Sequence, residues 1–477
     1  MDSGGNRAGS EDHADDHADD HGGPPAESLI VDAPPLSSFG ITEVRRAVTI
    51  ALVATVTILR TVWRRIRKGR KAGPWPVVLS QGIVDAFIVL GPTFVKLGQL
   101  IASSPGMFPA PLADASLRCL DEVPPVSVEA ARRIVEEDLG RPVEALFQGF
   151  DPVPLSAASI AQVHACVLVD GREAVLKIQR PQIADRMNHD LRIMYRLARL
   201  LDHVKALHLA NLPAIVEDLH QVTNEELNFS LEAFRQTQFR NNLAAFGDNK
   251  WITAPEVYWD WCGPRVIAME RMRGIPMDDF DALRARGVDG ELILRRGVKA
   301  WMEAALVHGP FHGDVHAGNL WVLDDGRASY LDFGIMGVLP DVARDALRDV
   351  QHTAMIDGDY TRVVRAWQRL GIFSEDIGPV EVVAAQIKMV VDPMLDLTLG
   401  EVSLASIMQQ QMELAKQFNA RTARELVLVT KQLLYFERYA KELAPNYNMS
   451  RDVFLIKNVL PDAVAEVCAE RGIVLPE

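Results

Sequence analysis

The chain has 477 residues, of which 48% are hydrophobic and 24% are charged. A chain of this length can bury a large core and is expected to form two or more structural units. Its formal net charge of −14 argues against nucleic acid as a main partner, because proteins bind a phosphate backbone with clustered lysines and arginines. The four cysteines are far apart and form no CxxC pair, so neither a disulfide framework nor a zinc knuckle is predicted.

The N-terminal residues 1–38 are predicted to form a disordered acidic tail. Residues 1–35 contain nine Asp or Glu and a single Arg, and they bring too little apolar surface to offset the entropy lost on ordering. Three histidines spaced by four residues, His13, His17 and His21, would align on a helix and could bind a transition metal. The composition favours the alternative, a solvated low-complexity tail.

Residues 39–75 combine an apolar run with a basic end. Thirteen uncharged residues at 47–59 precede seven basic residues, with no acidic one, between 60 and 71. A helix that spans a bilayer needs about 20 apolar residues, so this run favours an interfacial helix held by anionic lipid. A buried helix with a solvated basic end is the alternative. The pattern predicts a cytoplasmic protein that is peripherally attached to an anionic membrane surface.

The residues after this segment change from a helical to a strand-like periodicity near residue 150. An Asp-Gly pair at 170–171 then predicts a hairpin, and Lys177 lies near the end of its second strand. A kinase-type fold places there the lysine that holds the α- and β-phosphates of ATP. A solvated lysine on an edge strand is the ordinary alternative. A helix predicted downstream offers Glu226 and Glu232 as ion-pair partners for Lys177.

The stretch FHGDVHAGNL, residues 311–320, has the spacing of a kinase catalytic loop. There a proton-accepting Asp is followed five positions later by a metal-binding Asn, as Asp314 is by Asn319. A predicted hairpin then leads to Asp332, Phe333 and Gly334, where Asp332 offers a second metal ligand. Mg²⁺ prefers such hard oxygen ligands.

A zinc site formed by His312 and His316 is the alternative for the same stretch. The two histidines are four residues apart, but Gly313 and Gly318 disfavour the helix that would align them. No glutamate follows His312 as a metalloprotease motif would require. The catalytic loop is therefore the favoured interpretation.

Together with three further motifs, these residues resemble the UbiB/AarF-type atypical kinases over residues 80–345. Lys96-Leu97-Gly98-Gln99 is similar to the KxGQ signature of the family's N-terminal helical extension. Residues 155–159 resemble its alanine-rich loop, which replaces a glycine-rich phosphate cover, and residues 226–228 resemble its ExD motif. Asn228 replaces the second acid of that motif, and Ser156 stands where the family usually has Ala.

The resemblance implies an α+β, two-lobed protein-kinase-like fold with a helical KxGQ extension and a helical C-terminal lobe. It also implies binding of ATP or ADP with Mg²⁺, and a link to isoprenoid quinone or membrane lipid metabolism. By motif, the catalytic residues would be Asp314 and Lys177, the metal ligands Asn319 and Asp332, the nucleotide-binding residues Ala157, Ala158, Ser159, Lys177, Glu232 and Glu270, and the regulatory residues Lys96 and Gln99.

Lys96 and Gln99 are expected to share one helix face and to turn into the cleft beside Asp314 and Asp332, with Gly98 allowing close approach. There they would exclude a peptide substrate, so phosphorylation of proteins in trans is not expected. The alternative is a polar pair on a helix surface.

Two other functions remain open on the sequence alone. The order of HGD and Asn also resembles aminoglycoside or choline phosphotransferases, and a catalytically quiet nucleotide-binding scaffold would carry the same ligands. The expected partners are ATP, the anionic lipid surface and isoprenoid lipid or quinone-pathway enzymes. The expected architecture is a tail (1–38), a membrane-surface segment (39–75), a helical extension (76–150), an N-lobe (151–270), a C-lobe (271–445) and a C-terminal tail (446–477).

Overall fold

Most of the chain is described by the structure, a computed structural model. The described residues are 23–31, 33–38, 40–69, 73–102, 108–120, 125–203, 211–401, 418, 420 and 425–476. The three histidines of the N-terminal tail lie outside these residues.

Helices and strands follow one another in a mixed order. The helices are α1 (Ile41–Lys68), α2 (Trp75–Leu90), α3 (Pro92–Ala102), α4 (Ala110–Ser116), α5 (Val128–Leu139), α6 (Val143–Leu146), α7 (Ile183–Leu201), α8 (Leu212–Leu227), α9 (Phe229–Leu243), α10 (Phe280–Ala285), α11 (Gly290–Glu303), α12 (Asp341–His352), α13 (Tyr360–Arg369), α14 (Val380–Leu395), α15 (Glu425–Leu443) and α16 (Pro461–Arg471). The strands are β1 (Phe147–Ala157), β2 (Ala161–Leu168), β3 (Glu173–Gln179), β4 (Ile252–Thr253), β5 (Val266–Glu270), β6 (Gly274–Pro276), β7 (Pro310–His312), β8 (Leu320–Leu323), β9 (Ala328–Tyr330) and β10 (Met336–Val338).

A four-stranded antiparallel sheet in the order β1-β2-β3-β5 forms the smaller lobe. Its β2–β3 turn contains Gly171 at a left-handed φ of +89°, which confirms the hairpin predicted from the Asp-Gly pair. Lys177 on β3 lies opposite Val163 on β2 and Ile267 on β5. Because β3 is an inner strand, the edge-strand alternative for Lys177 is wrong.

Helices cover both faces of this sheet. On one face, Ile134 of α5 shares a buried cluster with Leu176 of β3. On the other, Phe229 of α9 packs with Ile267 of β5. The boundary predicted near residue 150 falls inside β1, because β1 begins at Phe147 and pairs with β2 from that residue onward.

The larger lobe is mainly helical and carries two small sheets, between whose strands β7 and β8 lies the loop of Asp314 and Asn319. One sheet has the order β4-β9-β8-β6, and the other pairs β7 with β10. Its core is the largest buried cluster of the described residues, and it includes Phe454, Ile456 and Val467. The segment 446–477, predicted to be a tail, therefore contributes to this core up to α16, and that prediction is wrong for these residues.

The residues just before α1 also depart from the prediction of a disordered tail that reaches residue 38. The side-chain amide of Asn228 at the start of α9 donates to Ser28 O (2.9 Å). Arg196 of α7 donates to Ser37 O (2.8 Å), and Leu36 packs beside the buried residues of α7 and α8. The part of this stretch that the structure describes is held against the body by these contacts.

α1 extends the predicted 47–59 run into a helix of 28 residues. Within the described residues it is the one helix, over Ile41–Arg67, that is long and apolar enough to cross a membrane by length and composition. It packs against α2 and α7. The four cysteines are free thiols.

Candidate active site

A buried ion cluster lies between the two lobes. Lys177 Nζ donates to Glu232 Oε1 at 2.6 Å and to Asp332 Oδ1 at 2.8 Å. The side chains of Lys177 and Glu232 are 8% and 1% exposed, whereas that of Asp332 is 49% exposed. The expected ion pair between β3 and a helical glutamate is therefore present, with Glu232 as the partner. The exposed side of Asp332 leaves the cluster open to a ligand.

The three charges alter one another's protonation. Burial disfavours the Lys177 ammonium, but the carboxylates of Asp332 and Glu232 overcome this and raise its pKa. Burial acts more strongly on Glu232, whose pKa rises to about 7 although Lys177 opposes the change. The pKa of Asp332 is lowered, because Lys177 and the Gly334 N–H outweigh burial. At neutral pH the cluster keeps a cationic lysine and an anionic Asp332.

Asp332 is held in its position by its own short loop. It has a left-handed φ of +52°, a conformation that Asp adopts more readily than most residues. Gly334 N–H donates to Asp332 Oδ1 (3.2 Å). Phe333 is fully buried, with ring centroids 5.2 Å from Phe239 and 5.1 Å from His312. Because Phe239 lies on the same helix as Glu232, this contact links the positions of the two acids.

The loop that carries Asp314 and Asn319 is bonded to the loop that carries Asp332. Gly313 N–H donates to Ile335 O (2.9 Å), and Leu331 N–H donates to Asn319 O (2.8 Å). The side-chain amide of Asn319 donates to Asp314 O (3.0 Å). That bond uses the amide nitrogen and leaves the amide oxygen of Asn319 for another interaction.

α15 fixes the catalytic loop from the other side. The buried amide of Gln432 donates to Gly313 O (2.6 Å), and its oxygen accepts from Val315 N–H (3.0 Å). Tyr439 O–H donates to Val315 O (2.8 Å). These bonds hold the backbone on both sides of Asp314, so α15 positions the loop in addition to filling the core.

His312 is structural, and the zinc alternative is wrong for it. Its Nε2–H donates to Leu331 O (2.8 Å), and its Nδ1 accepts from Asp314 N–H (3.2 Å). Burial lowers the pKa of His312 and keeps the ring neutral. Both ring nitrogens are thus occupied, and the described residues contain no group of three or more His, Cys, Asp or Glu that could hold a metal ion.

The alanine-rich loop is a tight turn between β1 and β2. Ala157 ends β1, and Ala158 N–H donates to Ala161 O (2.8 Å) across the turn that contains Ser159. Arg180 stabilises the turn with two hydrogen bonds. Its Nε–H donates to Ala158 O (2.9 Å), and its backbone N–H donates to Ile160 O (2.8 Å).

A buried polar chain connects the same loop to the extension. Gln162 Oε1 accepts from Val126 N–H (2.9 Å), and its amide nitrogen lies 2.7 Å from His164 Nε2. His164 Nδ1 lies 2.8 Å from Asp151 O. Gln162 and His164 are 1% and 0% exposed. The loop is therefore held on two sides.

Glu270, expected from the motif to bind nucleotide, ends β5. Its backbone N–H donates to Glu256 O (2.8 Å), and its side chain lies 3.4 Å from Arg240 and accepts from Glu256 N–H (3.2 Å). The N–H of this residue is thus used within the small lobe.

Lys96 forms an ion pair with Glu226 of α8, and their side chains are 10% and 11% exposed. A Cβ at Gly334 would lie 3.3 Å from Asp332 Oδ1 and 3.9 Å from Glu226 Cγ, so the pair borders the Asp332 loop. The interpretation of Lys96 as a surface residue is wrong. Its partner is the first acid of the ExD-like motif, whereas the sequence suggested Asp314 and Asp332.

Gln99 and Gly98 serve the extension itself. The Gln99 amide donates to Cys119 O (3.0 Å), so the structure gives it a partner outside the Lys177 cluster. A Cβ on Gly98 would lie 2.3 Å from Cys119 Sγ. The close approach that Gly98 allows is therefore to the Cys119 segment, and the prediction that it lets Gln99 enter the cleft is wrong.

Sequence reasoning missed the residues that position the site from a distance. Arg180 follows β3 directly and could have been suspected from its neighbour Lys177. Gln432 and the Gln162–His164 chain carry no local signal, because their partners are backbone groups far along the chain.

Two family descriptions match the chain. Residues 118–367 match the ABC1 atypical kinase-like domain, and residues 387–448 match the UbiB helical domain. An uncharacterized protein of Mycobacterium tuberculosis (strain H37Rv) is 37% identical over 395 residues, which cover 83% of this chain and 81% of that protein. A protein of Azotobacter vinelandii named probable protein kinase UbiB is 32% identical over 396 residues, which cover 81% of this chain and 71% of that protein.

A solved structure shows the same fold. The Mycobacterium tuberculosis protein Rv3197, determined in complex with erythromycin, aligns with a TM-score of 0.53 and 23% identity, covering 77% of this chain and 91% of that chain. This likeness shows the fold alone, and it confirms the predicted two-lobed kinase-like architecture. With the matched ABC1 domain and the UbiB relatives, it follows that the chain belongs to the ABC1/UbiB family of atypical kinase-like proteins.

Proposed function

We propose that the protein binds ATP or ADP with Mg²⁺ between its lobes, and that it hydrolyses ATP or transfers the γ-phosphate to a small molecule or lipid. The observation that carries the proposal is Lys177, held between Glu232 and Asp332 beside the Asp314–Asn319 loop. Each group matches a part that phosphoryl transfer requires.

The residues present fit a magnesium ion. Asp332 contributes a half-exposed carboxylate and Asn319 an amide oxygen, both hard ligands. In addition, the buried Glu232 Oε2 has no hydrogen-bond partner among the described residues. When bound, Mg²⁺ would neutralise charge on the phosphates.

Lys177 would hold the α- and β-phosphates, and Asp314 would accept the proton of the attacking hydroxyl or water. Ala157, Ala158 and Ser159 would cover the phosphates, with a rigid backbone that lacks the φ > 0 freedom of a glycine loop.

A small-molecule or lipid substrate is favoured over a protein. The KxGQ helix α3 is held next to the Asp332 loop by the Lys96–Glu226 pair, where a peptide substrate would need room. The family resemblance implies a role near isoprenoid quinone or membrane lipid metabolism. Attachment to anionic lipid through α1 would place a cytoplasmic enzyme beside such substrates.

A turnover assay tests the proposal. Labelled ATP and Mg²⁺ are incubated with the protein and anionic vesicles, and in parallel reactions with an aminoglycoside or choline. Free phosphate and labelled lipid or small-molecule products are measured. Turnover is expected for the parent and should be lost in Asp314→Asn, whereas Asp325→Asn in the exposed β8–β9 turn should match the parent. Absence of any product would favour the scaffold alternative, and a phosphorylated aminoglycoside or choline would favour the small-molecule phosphotransferase.

A further inference from the structure

α1 departs from an ordinary surface helix because its exposed side is apolar. Such a helix turns its apolar stripe toward the core. In α1 the two most buried residues are the polar Glu43 and Thr61, at 4% and 8% exposed, and the half-buried Arg46 also faces the body. Its exposed side carries large apolar residues spaced by three or four, which therefore form one stripe along the helix. They are Ile41, Val44, Val48, Leu52, Val56, Leu59, Trp63 and Ile66.

α1 is also fixed to the body near both ends. At its start, Arg46 makes two bonds to the fully buried Asp190 (2.7 and 2.9 Å), and Glu43 pairs with Arg192 (3.0 Å). Near its end, Thr61 packs so closely on α2 that a Cβ at Gly82 would lie 2.9 Å from its Oγ1. At 1.5 Å per residue, Glu43 and Thr61 are about 27 Å apart along the helix axis. That is nearly the hydrocarbon thickness of a bilayer, about 30 Å.

A membrane-spanning α1 would conflict with these contacts. Either α2 and α7 would enter the hydrocarbon together with Asp190 and Arg192, or the Arg46–Asp190 pair would break and leave Asp190 buried without its partner. Both alternatives place charged groups where they are strongly disfavoured. A helix that lies parallel to the membrane keeps every one of these contacts.

We propose that α1 lies in the plane of an anionic membrane surface, with its outward stripe among the acyl chains and the kinase-like body bound to its opposite face. This rests on the membrane association proposed above and specifies its geometry. Four exposed arginines of α1, Arg45, Arg60, Arg64 and Arg67, complement anionic headgroups. The one acidic residue of the helix, Glu43, faces the body.

Aromatic side chains near the end of α1 also fit a position at the membrane–water interface. The guanidinium groups of Arg67 and Arg65 lie 5.3 Å from the ring centres of Trp63 and Trp75, respectively. Tryptophan and arginine are enriched where acyl chains meet headgroups. A second copy of this chain is a less suitable partner for the stripe. Each copy carries a net charge of −14, and α1 itself has no face that is both apolar and acidic to meet the stripe and the arginines of the other copy.

Flotation tests the surface. The full-length protein is mixed with vesicles of phosphatidylcholine, with or without phosphatidylglycerol. Binding should require the anionic lipid and fall at high salt, and Leu52→Glu with Leu59→Glu should lower it about tenfold or more. Val382→Glu with Met389→Glu, a matched change of two exposed residues on α14, should leave it unchanged. If the parent does not float, membrane association itself fails.

A depth measurement tests the orientation separately. A fluorophore is attached to Val44→Cys, Leu52→Cys or Leu59→Cys, the signal of the equally treated parent is subtracted, and quenching by lipids labelled at shallow or deep acyl positions is compared. An in-plane helix predicts the same shallow depth at all three sites. A deep Leu52 between two shallow ends would overturn the proposal in favour of a spanning helix. The proposal would also be overturned if the protein floated but none of the three fluorophores was quenched. The same would hold if the parent were a dimer and Leu52→Glu with Leu59→Glu turned it into a monomer.

Discussion

The ionisation of Glu232 determines how the site responds to pH. Its pKa is raised from 4.5 to about 7 in the folded protein, chiefly by burial. Between these values the folded chain keeps a proton that the unfolded chain has lost. The stability that Glu232 contributes is therefore complete below the unfolded pKa and is lost as pH rises through the folded pKa.

This predicts a pH-dependent difference between the parent and Glu232→Gln. The free energy of unfolding of the parent, minus that of the variant, should fall as pH rises from about 5 to about 8, because the variant lacks the titrating group. Urea denaturation at several pH values measures it. A difference that stays constant or rises over this range would contradict the assignment.

The Lys96–Glu226 pair is expected to contribute to stability. Because both side chains are nearly buried, Lys96→Met should leave an unpaired carboxylate and cost about 3 kcal/mol of unfolding free energy. Adding Glu226→Gln to that variant should recover most of the loss. If Lys96→Met cost about 0.5 kcal/mol or less, Lys96 would behave as an ordinary surface residue and the buried pair would be contradicted.

Among the elements, the alanine-rich loop depends on a support that follows β3. Arg180 donates from Nε to Ala158 O, so Arg180→Met should raise KM for ATP about fivefold, the equivalent of one hydrogen bond, with little change in kcat. Arg180→Lys should not rescue KM, since its ammonium lacks the fixed Nε donor. Rescue by lysine would instead show that only the charge matters. Arg172→Met, an exposed arginine of the β2–β3 turn, is the control.

The elements also show which features the sequence could reveal. The β2–β3 hairpin and the loop with Asp314 and Asn319 are local, because adjacent residues determine their turns and spacings. The bonds from Gln432 to Gly313 and Val315 join segments more than 100 residues apart, and nothing in the α15 sequence distinguishes a glutamine that clamps a loop from one that is solvated. The same limit applies to the partner of Lys96, which lies on another helix.

For the whole molecule, the residues beyond the matched helical domain complete the larger lobe. Lys299 and Glu303 of α11 are each 1% exposed and form a buried network with Asp248, Asn249 and Asn458. Local pattern does not reveal this role of residues 446–477, since their helices are short and the surface that they cover is formed by distant residues. Domain boundaries depend on such contacts more than on local periodicity.

This role of the C-terminal segment is testable by one core substitution. Phe454 is 3% exposed, so Phe454→Ala should lower the free energy of unfolding by about 3–5 kcal/mol. Val474→Ala, at a residue that is 93% exposed, should change it by about 0.5 kcal/mol or less. Equal, small effects in urea denaturation would restore the interpretation of this segment as a tail.

Lys177, Asp332 and Asn319 are proposed to form a site for Mg-ATP between the lobes. Isothermal titration of the full-length protein with ATP, in the presence and absence of Mg²⁺, tests it most directly. Binding that depends on Mg²⁺ is expected for the parent and for Asp325→Asn. Asp332→Asn should lose this metal-dependent binding while its far-ultraviolet circular dichroism is unchanged. Unchanged Mg-ATP affinity in Asp332→Asn would contradict the assignment of the metal site and, with it, the proposed phosphoryl chemistry.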